Sequence, residues 1–279
     1  MATSCNRYSR SPAAGKNGTK RRLQLPQEPE GVIFSRHQTI PRRLCKSGTM
    51  TDSTAEFDAF AADYDLALEQ GLSLTGESKD FFAEARLRWL RSRLVKFQAA
   101  STMILDFGCG TGSSVPWFLD LLEAERIIGS DVSPQSLEVA RERWQDYETE
   151  FVQCGDEEAD SFDLAFCNGV FHHIVPEQRD EAFQRVFRAL KPGGVFAFWE
   201  NNPANPGTRL LMKRIPFDRD AILVWPNEAR RRLRATGFEV LLTDFVFYFP
   251  EMLRALRPLE PWLSKLPLGG QYLILARKP

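Results

Sequence analysis

From residue 55 onward, short apolar runs alternate with longer stretches whose apolar residues recur every three to four positions. The short runs are typical of buried strands, and the three-to-four spacing is typical of amphipathic helices. Strands are predicted over 102–106, 126–131, 149–154, 162–167, 195–199, 238–249 and 271–277. Helices are predicted over 79–97, 177–190 and 226–236, together with one helix that ends at 122 and another that begins near 134. Repeated strand–helix units of this length predict an α/β fold, in which helices cover both faces of a mostly parallel sheet.

The predicted helix over 79–97 is rich in arginine and has one apolar face. The side chains expected to point into the core are Phe82, Ala85, Trp89 and Leu90. A shorter amphipathic helix over 57–64 is predicted to precede it.

Residues 1–49 differ in composition from the rest of the chain. They hold ten basic residues against two acidic ones, a net charge of +8, so the remainder carries −9 and the whole chain −1. With few large apolar residues, the segment cannot bury enough surface to offset the entropy of ordering it. Three interpretations stay open: a disordered basic tail, an Arg-rich transit peptide, or an untranslated stretch ahead of a start at Met50. The folded domain is expected to occupy residues 50–279.

Composition argues against several classes of protein. No run approaches the roughly 18 apolar residues that a membrane-spanning helix needs, and the acidic remainder lacks the clustered Lys and Arg of a nucleic-acid surface. The five cysteines form no Cys-x-x-Cys pair, which argues against a zinc site or a disulfide framework and favours a reducing compartment. No carboxylate cluster indicates a metal ion, and none is predicted. A cytoplasmic location is expected unless residues 1–49 direct import into an organelle.

A glycine-rich turn follows the first predicted strand and reads Asp-Phe-Gly-Cys-Gly-Thr-Gly over 106–112. Glycine lets a ligand approach the backbone closely, and a nucleotide-like ligand normally binds at this end of the first strand. A dinucleotide fingerprint would need glycine at the position of Ser113. Asp106 would repel a pyrophosphate and attract an ammonium group, which favours a cofactor with an amino-acid moiety over NAD. A tight turn without a ligand is the structural alternative.

A second acidic residue, Asp131, ends the next strand, nineteen residues after Gly112. A carboxylate at this position can accept hydrogen bonds from both hydroxyls of a ribose. The structural alternative is that Asp131 or Ser133 caps the helix that begins at Pro134.

Taken together, these motifs resemble the class I S-adenosylmethionine-dependent methyltransferases of the small-molecule type. The resemblance rests on the 106–112 turn, Asp131, Gly155-Asp156 and the Leu-Lys-Pro-Gly-Gly sequence over 190–194, and it covers about residues 55–279. It implies a Rossmann-like fold: a doubly wound, mostly parallel seven-stranded sheet whose last strand is antiparallel. It also implies S-adenosyl-L-methionine as the cofactor and transfer of its methyl group to an acceptor.

The resemblance further implies a cofactor-binding role for each matching residue. These residues are Asp106, Gly108, Cys109, Gly110, Gly112, Asp131, Val132, Asp156, Asn168 and Tyr64. The turn would line the methionine and ribose portions, Asp131 would hold the ribose hydroxyls, and Val132 would pack on the adenine. Asp156 would reach the adenine amino group, although the segment after it departs from the family pattern.

On the acceptor side, the predicted catalytic residues are His172, His173 and Glu200. The histidines follow the fourth strand and Glu200 follows the fifth, so they share the rim at which the methyl group would be presented. Neutral imidazole can take a proton from an acceptor hydroxyl. The alternatives are a histidine bonded to backbone at a helix start and ordinary loop polarity at Glu200.

Two inserts, about 203–218 and 250–270, are expected on the substrate side. The second is apolar and interrupted by proline, which would suit an apolar pocket wall, a membrane surface or ordinary core packing. The acceptor is therefore expected to be a small molecule, lipid-like or a secondary metabolite, methylated on oxygen or carbon, with no nucleic acid as partner. The alternative is a non-catalytic module that binds the cofactor or a partner protein. The sequence does not fix the oligomeric state.

Overall fold

The structure is a computed structural model of the 279-residue chain, and it describes residues 71–72, 75–215, 218–219 and 221–279. The predicted leader over 1–49 and the predicted helix that carries Tyr64 lie outside the described residues. Among the helices that the structure describes, none is long and apolar enough to cross a membrane.

Seven strands form one sheet in the described part of the chain. They are β1 (Met103–Phe107), β2 (Arg126–Asp131), β3 (Thr149–Gln153), β4 (Phe162–Asn168), β5 (Leu190–Asn201), β6 (Glu239–Val246) and β7 (Gln271–Arg277). Their order across the sheet is β3-β2-β1-β4-β5-β7-β6. β7 pairs antiparallel with both of its neighbours, and the other pairs are parallel. The predicted fold class, including the antiparallel last strand, is confirmed.

Helices connect the strands and start at residues that suit a helix N-terminus. They are α1 (Lys79–Phe97), α2 (Val115–Leu122), α3 (Pro134–Arg143), α4 (Arg179–Ala189), α5 (Pro206–Met212), α6 (Pro226–Thr236) and α7 (Glu260–Leu263). Side-chain oxygens of Ser78, Ser133 and Asn205 accept hydrogen bonds from backbone N–H groups in the first turns of α1, α3 and α5. These bonds satisfy donors that the helix itself leaves without a partner.

Successive residues of the strands pack into two separate hydrophobic cores, one on each face of the sheet. Ile104 of β1 packs with α1, α2 and α3 on one face, and Leu105 packs with α4 and α6 on the other. Because successive side chains of a strand point to opposite faces, a sheet covered on both sides needs apolar residues at every position. This explains why the central strands read as continuous apolar runs.

The buried face of α1 differs from the prediction. Its buried residues are Ala83, Leu87, Leu90 and Leu94. Phe82, Ala85 and Trp89 are only partly buried, and the Trp89 indole N–H donates to Asp244 at 3.1 Å. Arginines surround this helix on several sides, so the sequence pattern indicates a helix without fixing its rotation.

Both predicted inserts contain helical structure. Residues 203–218 include α5, and residues 250–270 include a 3₁₀ segment, Glu251–Leu259, followed by α7. In the second insert the side chains of Met252 and Trp262 are 91% and 88% exposed. No residue of either insert that the structure describes lines the cleft at the carboxyl ends of β1, β2 and β4.

Candidate active site

A cleft opens at the carboxyl ends of β1, β2 and β4, where the order of the strands reverses. Loops diverge at such a switch point, and doubly wound sheets bind their ligands there. Six of the predicted site residues line it: Gly108, Gly110, Asp131, Val132, Asn168 and His173. The cleft has two parts. We call the turn over 106–112 with Asp131–Ser133 the glycine-turn half. The histidine half is His173, which lines the cleft, together with Phe171, His172, Glu200 and Asp218, which are buried behind it.

Gly110 leaves the cleft open beside the backbone. Its φ is +53°, and a Cβ built there would meet no atom within 4 Å. Gly108 serves a different purpose, because a Cβ there would lie 2.3 Å from a methyl group of Val170. Glycine at 108 is thus required by packing, whereas at 110 it leaves open space in the cleft.

The Asp131 carboxylate orders the glycine turn. One oxygen accepts from the Gly110 N–H and the other from the Ser133 N–H, both at 2.9 Å. Ser133, not Asp131, caps α3, since its hydroxyl accepts from the Ser136 N–H at 3.1 Å. Each carboxylate oxygen has a further lone pair, so Asp131 can still accept hydrogen bonds from a ligand in the cleft.

Asn168 lines the cleft and carries a buried polar atom without a partner among the described residues. Its side-chain Oδ1 is buried and has no hydrogen-bond partner within the described structure, although the residue lines the cleft. Such an atom is costly to bury unless a ligand or water satisfies it. Together with the space at Gly110, this fits a ligand that brings polar hydrogens to the end of β4.

Two residues of the turn lie beneath the cleft rather than on its surface. Asp106 is 3% exposed, and burial, together with the charge of Asp131, raises its pKa to about 8. The Cys109 side chain belongs to the core on the α1 side, and burial raises the pKa of its thiol. Cys109 can therefore offer a ligand only its backbone.

The remaining predicted cofactor residues are placed as follows. A Cβ at Gly112 would lie 2.6 Å from the indole nitrogen of Trp144, so this glycine serves packing. Asp156 is exposed and does not line the cleft, whereas its neighbour Cys154 does. Tyr64 lies outside the described residues.

His172 is clamped between two carboxylates. Its Nδ1 lies 2.7 Å from Glu200 Oε2 and its Nε2 lies 3.3 Å from Asp218 Oδ1. Burial by itself lowers the pKa of His172, but the two carboxylates raise it to about 10. Burial likewise raises the pKa of Asp218, and the two histidines that it faces outweigh this and lower it to about 2.

The structure places His172 and Glu200 behind the cleft and not on its surface. An imidazole that keeps both protons at neutral pH has no lone pair with which to accept another. Neither residue lines the cleft, and Glu200 is fully buried, with its Oε1 accepting from the Phe171 N–H at 2.8 Å. Both residues position the 3₁₀ turn.

His173 is the one predicted catalytic residue that lines the cleft. Its Nε2 lies 3.3 Å from the same Asp218 oxygen that faces His172. Burial and the neighbouring positive charge of His172 lower the pKa of His173. The two adjacent histidines therefore have opposite shifts, because only one of them has a carboxylate on each side.

A buried arginine fixes the 3₁₀ turn. The Arg179 guanidinium is 1% exposed and donates to the carbonyl oxygens of Phe171, Ile174 and Ile222. It also pairs with Glu228 at 3.1 Å. It thereby ties the turn to the segment that follows Asp218.

One wall of the cleft was missed by the sequence analysis. It is one face of α4 and the turn before it, formed by Gln178, Glu181, Ala182 and Arg185. Their spacing marks a single helical face, and this was the available signal. Because three of the four are polar, that face reads in sequence as an ordinary solvent-exposed surface.

Comparison with known proteins agrees with this architecture. Residues 105–196 match a family model described as "Methyltransferase domain". The chain is 28% identical over 137 residues to malonyl-[acyl-carrier protein] O-methyltransferase of Acetivibrio thermocellus, covering 47% of this chain and 48% of that protein. It is 27% identical over 167 residues to mRNA cap guanine-N(7) methyltransferase of Caenorhabditis elegans, covering 49% and 43%. The chain spans about half the length of these curated relatives.

A solved structure shows the same fold. A SAM-dependent methyltransferase from Archaeoglobus fulgidus superposes with a TM-score of 0.55 at 17% identity, over 72% of this chain and 95% of that one. The family match covers the glycine turn, the ends of β2 and β4, and α4, all of which line the cleft. Residues 105–196 are therefore similar to a methyltransferase domain, and the chain has the fold of a SAM-dependent methyltransferase.

Proposed function

We propose that the protein transfers a methyl group from S-adenosyl-L-methionine to a small-molecule acceptor, on oxygen or carbon. The observation that carries the proposal is the shape of the cleft: open backbone at Gly110 and an unsatisfied Asn168 oxygen stand beside a separate histidine half. Methyl transfer needs a cofactor and an acceptor side by side, and the two adjoining halves of the cleft provide a place for each.

The glycine-turn half would hold the cofactor. Asp131, already fixed by two backbone N–H groups, would accept the ribose hydroxyls, and Val132 beside it would contact the adenine. Asn168 Oδ1 would accept a hydrogen bond from the amino-acid portion. Asp106 is largely protonated at neutral pH, because its pKa is about 8, so it would attract the cofactor's ammonium group from beneath the turn only as that positive charge lowers the pKa again. Asp156 is proposed only as an outer contact, because it lies outside the lining.

Methyl transfer needs little covalent chemistry from the protein. A lone pair of the acceptor attacks the methyl carbon in line, the carbon–sulfur bond breaks, and its electrons return to sulfur to give S-adenosylhomocysteine. The acceptor loses one proton when the attacking atom is a hydroxyl oxygen or a carbon. Because sulfonium is the activated group, the main task is to align the two reactants, which can lower the barrier by roughly 7–11 kcal/mol.

His173 is proposed as the residue that contacts the acceptor. It lines the cleft, and Asp218, together with the 3₁₀ turn held by Arg179, fixes its position. A group that acts on the acceptor should affect turnover more than cofactor affinity. We expect His173→Ala to lower kcat at least 10-fold and to change the affinity for S-adenosylhomocysteine less than 3-fold.

A small acceptor is supported by charge. Residues 50–279 carry a net charge of −9, and a nucleic-acid acceptor would need a basic surface to offset its phosphates. The curated relatives include both kinds of enzyme, since one is named for an acyl-carrier-protein substrate and another for an mRNA cap. The choice between them therefore depends on experiment.

The test uses the full chain. Calorimetric titration with S-adenosylhomocysteine, with NADH as the control, should give micromolar binding of the first compound alone. Labelled-methyl transfer is then measured with fractionated small metabolites and, separately, with capped RNA. Transfer to a metabolite fraction supports the proposal, and transfer to RNA alone overturns the small-molecule acceptor. Cofactor binding without transfer to either favours a non-catalytic binding module.

A further inference from the structure

Three potential metal ligands converge in the histidine half of the cleft. Within the described residues, ring nitrogens of His172 and His173 and a carboxylate oxygen of Asp218 all lie within 4.8 Å of one another. Both Nε2 atoms lie 3.3 Å from the same atom, Asp218 Oδ1. Two imidazole nitrogens and a carboxylate oxygen form a donor set typical of zinc and other divalent transition metals.

The separations match those between ligands of a common metal ion. A tetrahedral ion with bonds of about 2.0–2.1 Å places neighbouring ligand atoms about 3.3 Å apart. Hydrogen bonds between nitrogen and oxygen are usually shorter, about 2.9 Å, and the buried His172–Glu200 contact beside this site is 2.7 Å. The two 3.3 Å contacts are therefore long for charged hydrogen bonds and suitable for two edges of a coordination polyhedron.

Glu200 supplies the support that a histidine ligand needs. Its carboxylate faces Nδ1 of His172 and accepts from the Phe171 N–H, so it is fixed independently of the histidine. A carboxylate that accepts from Nδ1 directs the Nε2 of the same ring toward the metal, an arrangement common at zinc sites. Here Nε2 of His172 points to Asp218.

The backbone brings the ligands together from distant positions in sequence. His172 and His173 lie on one 3₁₀ turn, and the Ile222 N–H donates to the carbonyl oxygen of His172 at 2.9 Å. This bond ties the turn to the chain segment that contains Asp218. Because His173 also lines the cleft, the site is accessible from the region in which an acceptor would bind.

We propose that His172 Nε2, His173 Nε2 and Asp218 Oδ1 bind one divalent transition-metal ion, which takes the place of the Nε2 proton of His172 and releases it to solvent, with a remaining coordination position directed to the cleft. Three protein ligands and one open position are the pattern of a catalytic rather than a structural zinc site. This inference rests on the proposed function, and it implies that the acceptor is a molecule that presents an oxygen to the metal. The cation would lower the pKa of that oxygen, and its proton would pass to solvent. The oxygen would then attack the methyl carbon as the carbon–sulfur bond breaks and S-adenosylhomocysteine leaves.

Metal binding is tested without any enzymatic assay. The full chain is stripped with a chelator and titrated with Zn²⁺ by calorimetry, and Co²⁺ is titrated in parallel so that its visible absorption reports ligation. We expect one equivalent of Zn²⁺ per chain and a Co²⁺ spectrum typical of four-coordinate nitrogen and oxygen ligation. Asp218→Ala should weaken Zn²⁺ binding at least 100-fold, and Glu200→Gln should weaken it about 10–100-fold.

Asp244→Asn is the matched control. Asp244 is also a buried carboxylate in an ion-pair cluster, with Arg93 and Lys265 as its partners, but it faces no histidine. Zinc binding should be unchanged in this variant. His173→Gln provides a second ligand change if Asp218→Ala does not fold, and it should also lose the tight zinc site.

Two results would overturn the metal site: no zinc equivalent bound by the full chain, or equal zinc affinity in the Asp218→Ala, His173→Gln and Asp244→Asn variants. Either result leaves methyl transfer intact, because cofactor binding is measured separately. Conversely, zinc binding without methyl transfer would refute the proposed function and leave the metal site standing.

Discussion

The two halves of the cleft are built in different ways. In the glycine-turn half, one stretch of about thirty residues supplies the turn, β2 and Asp131, and the contacts are largely backbone N–H groups. In the histidine half, side chains from a 3₁₀ turn, from β5 and from the segment before α6 meet in a buried cluster. The first half depends on the absence of side chains, and the second depends on their charges.

This difference shows which half each kind of substitution should damage. A local turn tolerates changes elsewhere in the sheet but not the filling of its ligand space. A buried charged cluster tolerates small changes in shape but not the loss of a partner, because the group left behind is then unsatisfied. Three substitutions test this contrast.

The largest effect is expected from Gly110→Leu. A Cβ at Gly110 enters open cleft, so a leucine should occupy the space of the cofactor and lower the affinity for S-adenosylhomocysteine about 1,000-fold or more. Calorimetry measures this loss.

Gly193→Leu is its control. Gly193 also has a positive φ, +83°, and free space around a Cβ, but it does not line the cleft. Both variants should lose about 1–2 kcal/mol of stability through the strained backbone, and only the first should lose binding. Equal affinities in the two variants would place the cofactor elsewhere.

Arg179→Ala should have the next largest effect, on stability. It removes a buried guanidinium and leaves three carbonyl oxygens and Glu228 without that partner. We expect a loss of about 3 kcal/mol in the free energy of unfolding, measured with urea. Affinity for S-adenosylhomocysteine should change little, since Arg179 supports only the histidine half.

Arg232→Ala is the comparison for this variant. Arg232 contacts the same Glu228 oxygen at 3.0 Å, but its other partner is Asp180 on the surface. A loss of about 1 kcal/mol or less is expected. If both variants lose the same stability, the carbonyl contacts of Arg179 contribute nothing.

The last effect concerns Asp106, and it is seen only as a dependence of stability on pH. Its pKa in the folded protein, about 8, lies above that of an ordinary carboxyl, so the folded state holds a proton that the unfolded chain releases near pH 4. Stability therefore falls as pH rises from about 4 to about 8. Asp106→Asn removes this dependence, and its Tm should exceed that of the unchanged protein by a margin that grows by several degrees between pH 5 and pH 8.

Above pH 8 the margin should stay constant, because Asp106 is then ionised in both states. Differential scanning calorimetry across this range measures the two curves. A margin that is independent of pH would show that the burial of Asp106 does not control its protonation.

Local patterns were sufficient for most elements of the fold. β2, β7 and α6 have the predicted bounds. Apolar runs define the two strands, and a proline at the first helical position and Gly237 after the last define where α6 begins and ends. The rotation of α1 was wrong, since burial of Leu87 and Leu94 depends on what packs against the helix.

The candidate site also contains residues that a local motif predicted and residues that meet only in the folded structure. Asp131 and Gly110 were predicted as cofactor residues from a motif that lies within one strand–turn–strand segment, and both line the cleft. Asp218 received no role in the sequence analysis, because nothing in its neighbourhood indicates that it would meet residues 46 positions away. The opposite pKa shifts of His172 and His173 follow from that contact and from Glu200.

The sequence by itself determined the α/β sheet, the order of its elements and the glycine turn at the end of β1, because these depend on local periodicity and on residues close together in the chain. Only the tertiary structure decided which histidine reaches the cleft, which one is enclosed by carboxylates, and that a third ligand-like group joins them. Charge and burial act through space, and the separation of residues along the chain does not reveal which of them will be neighbours.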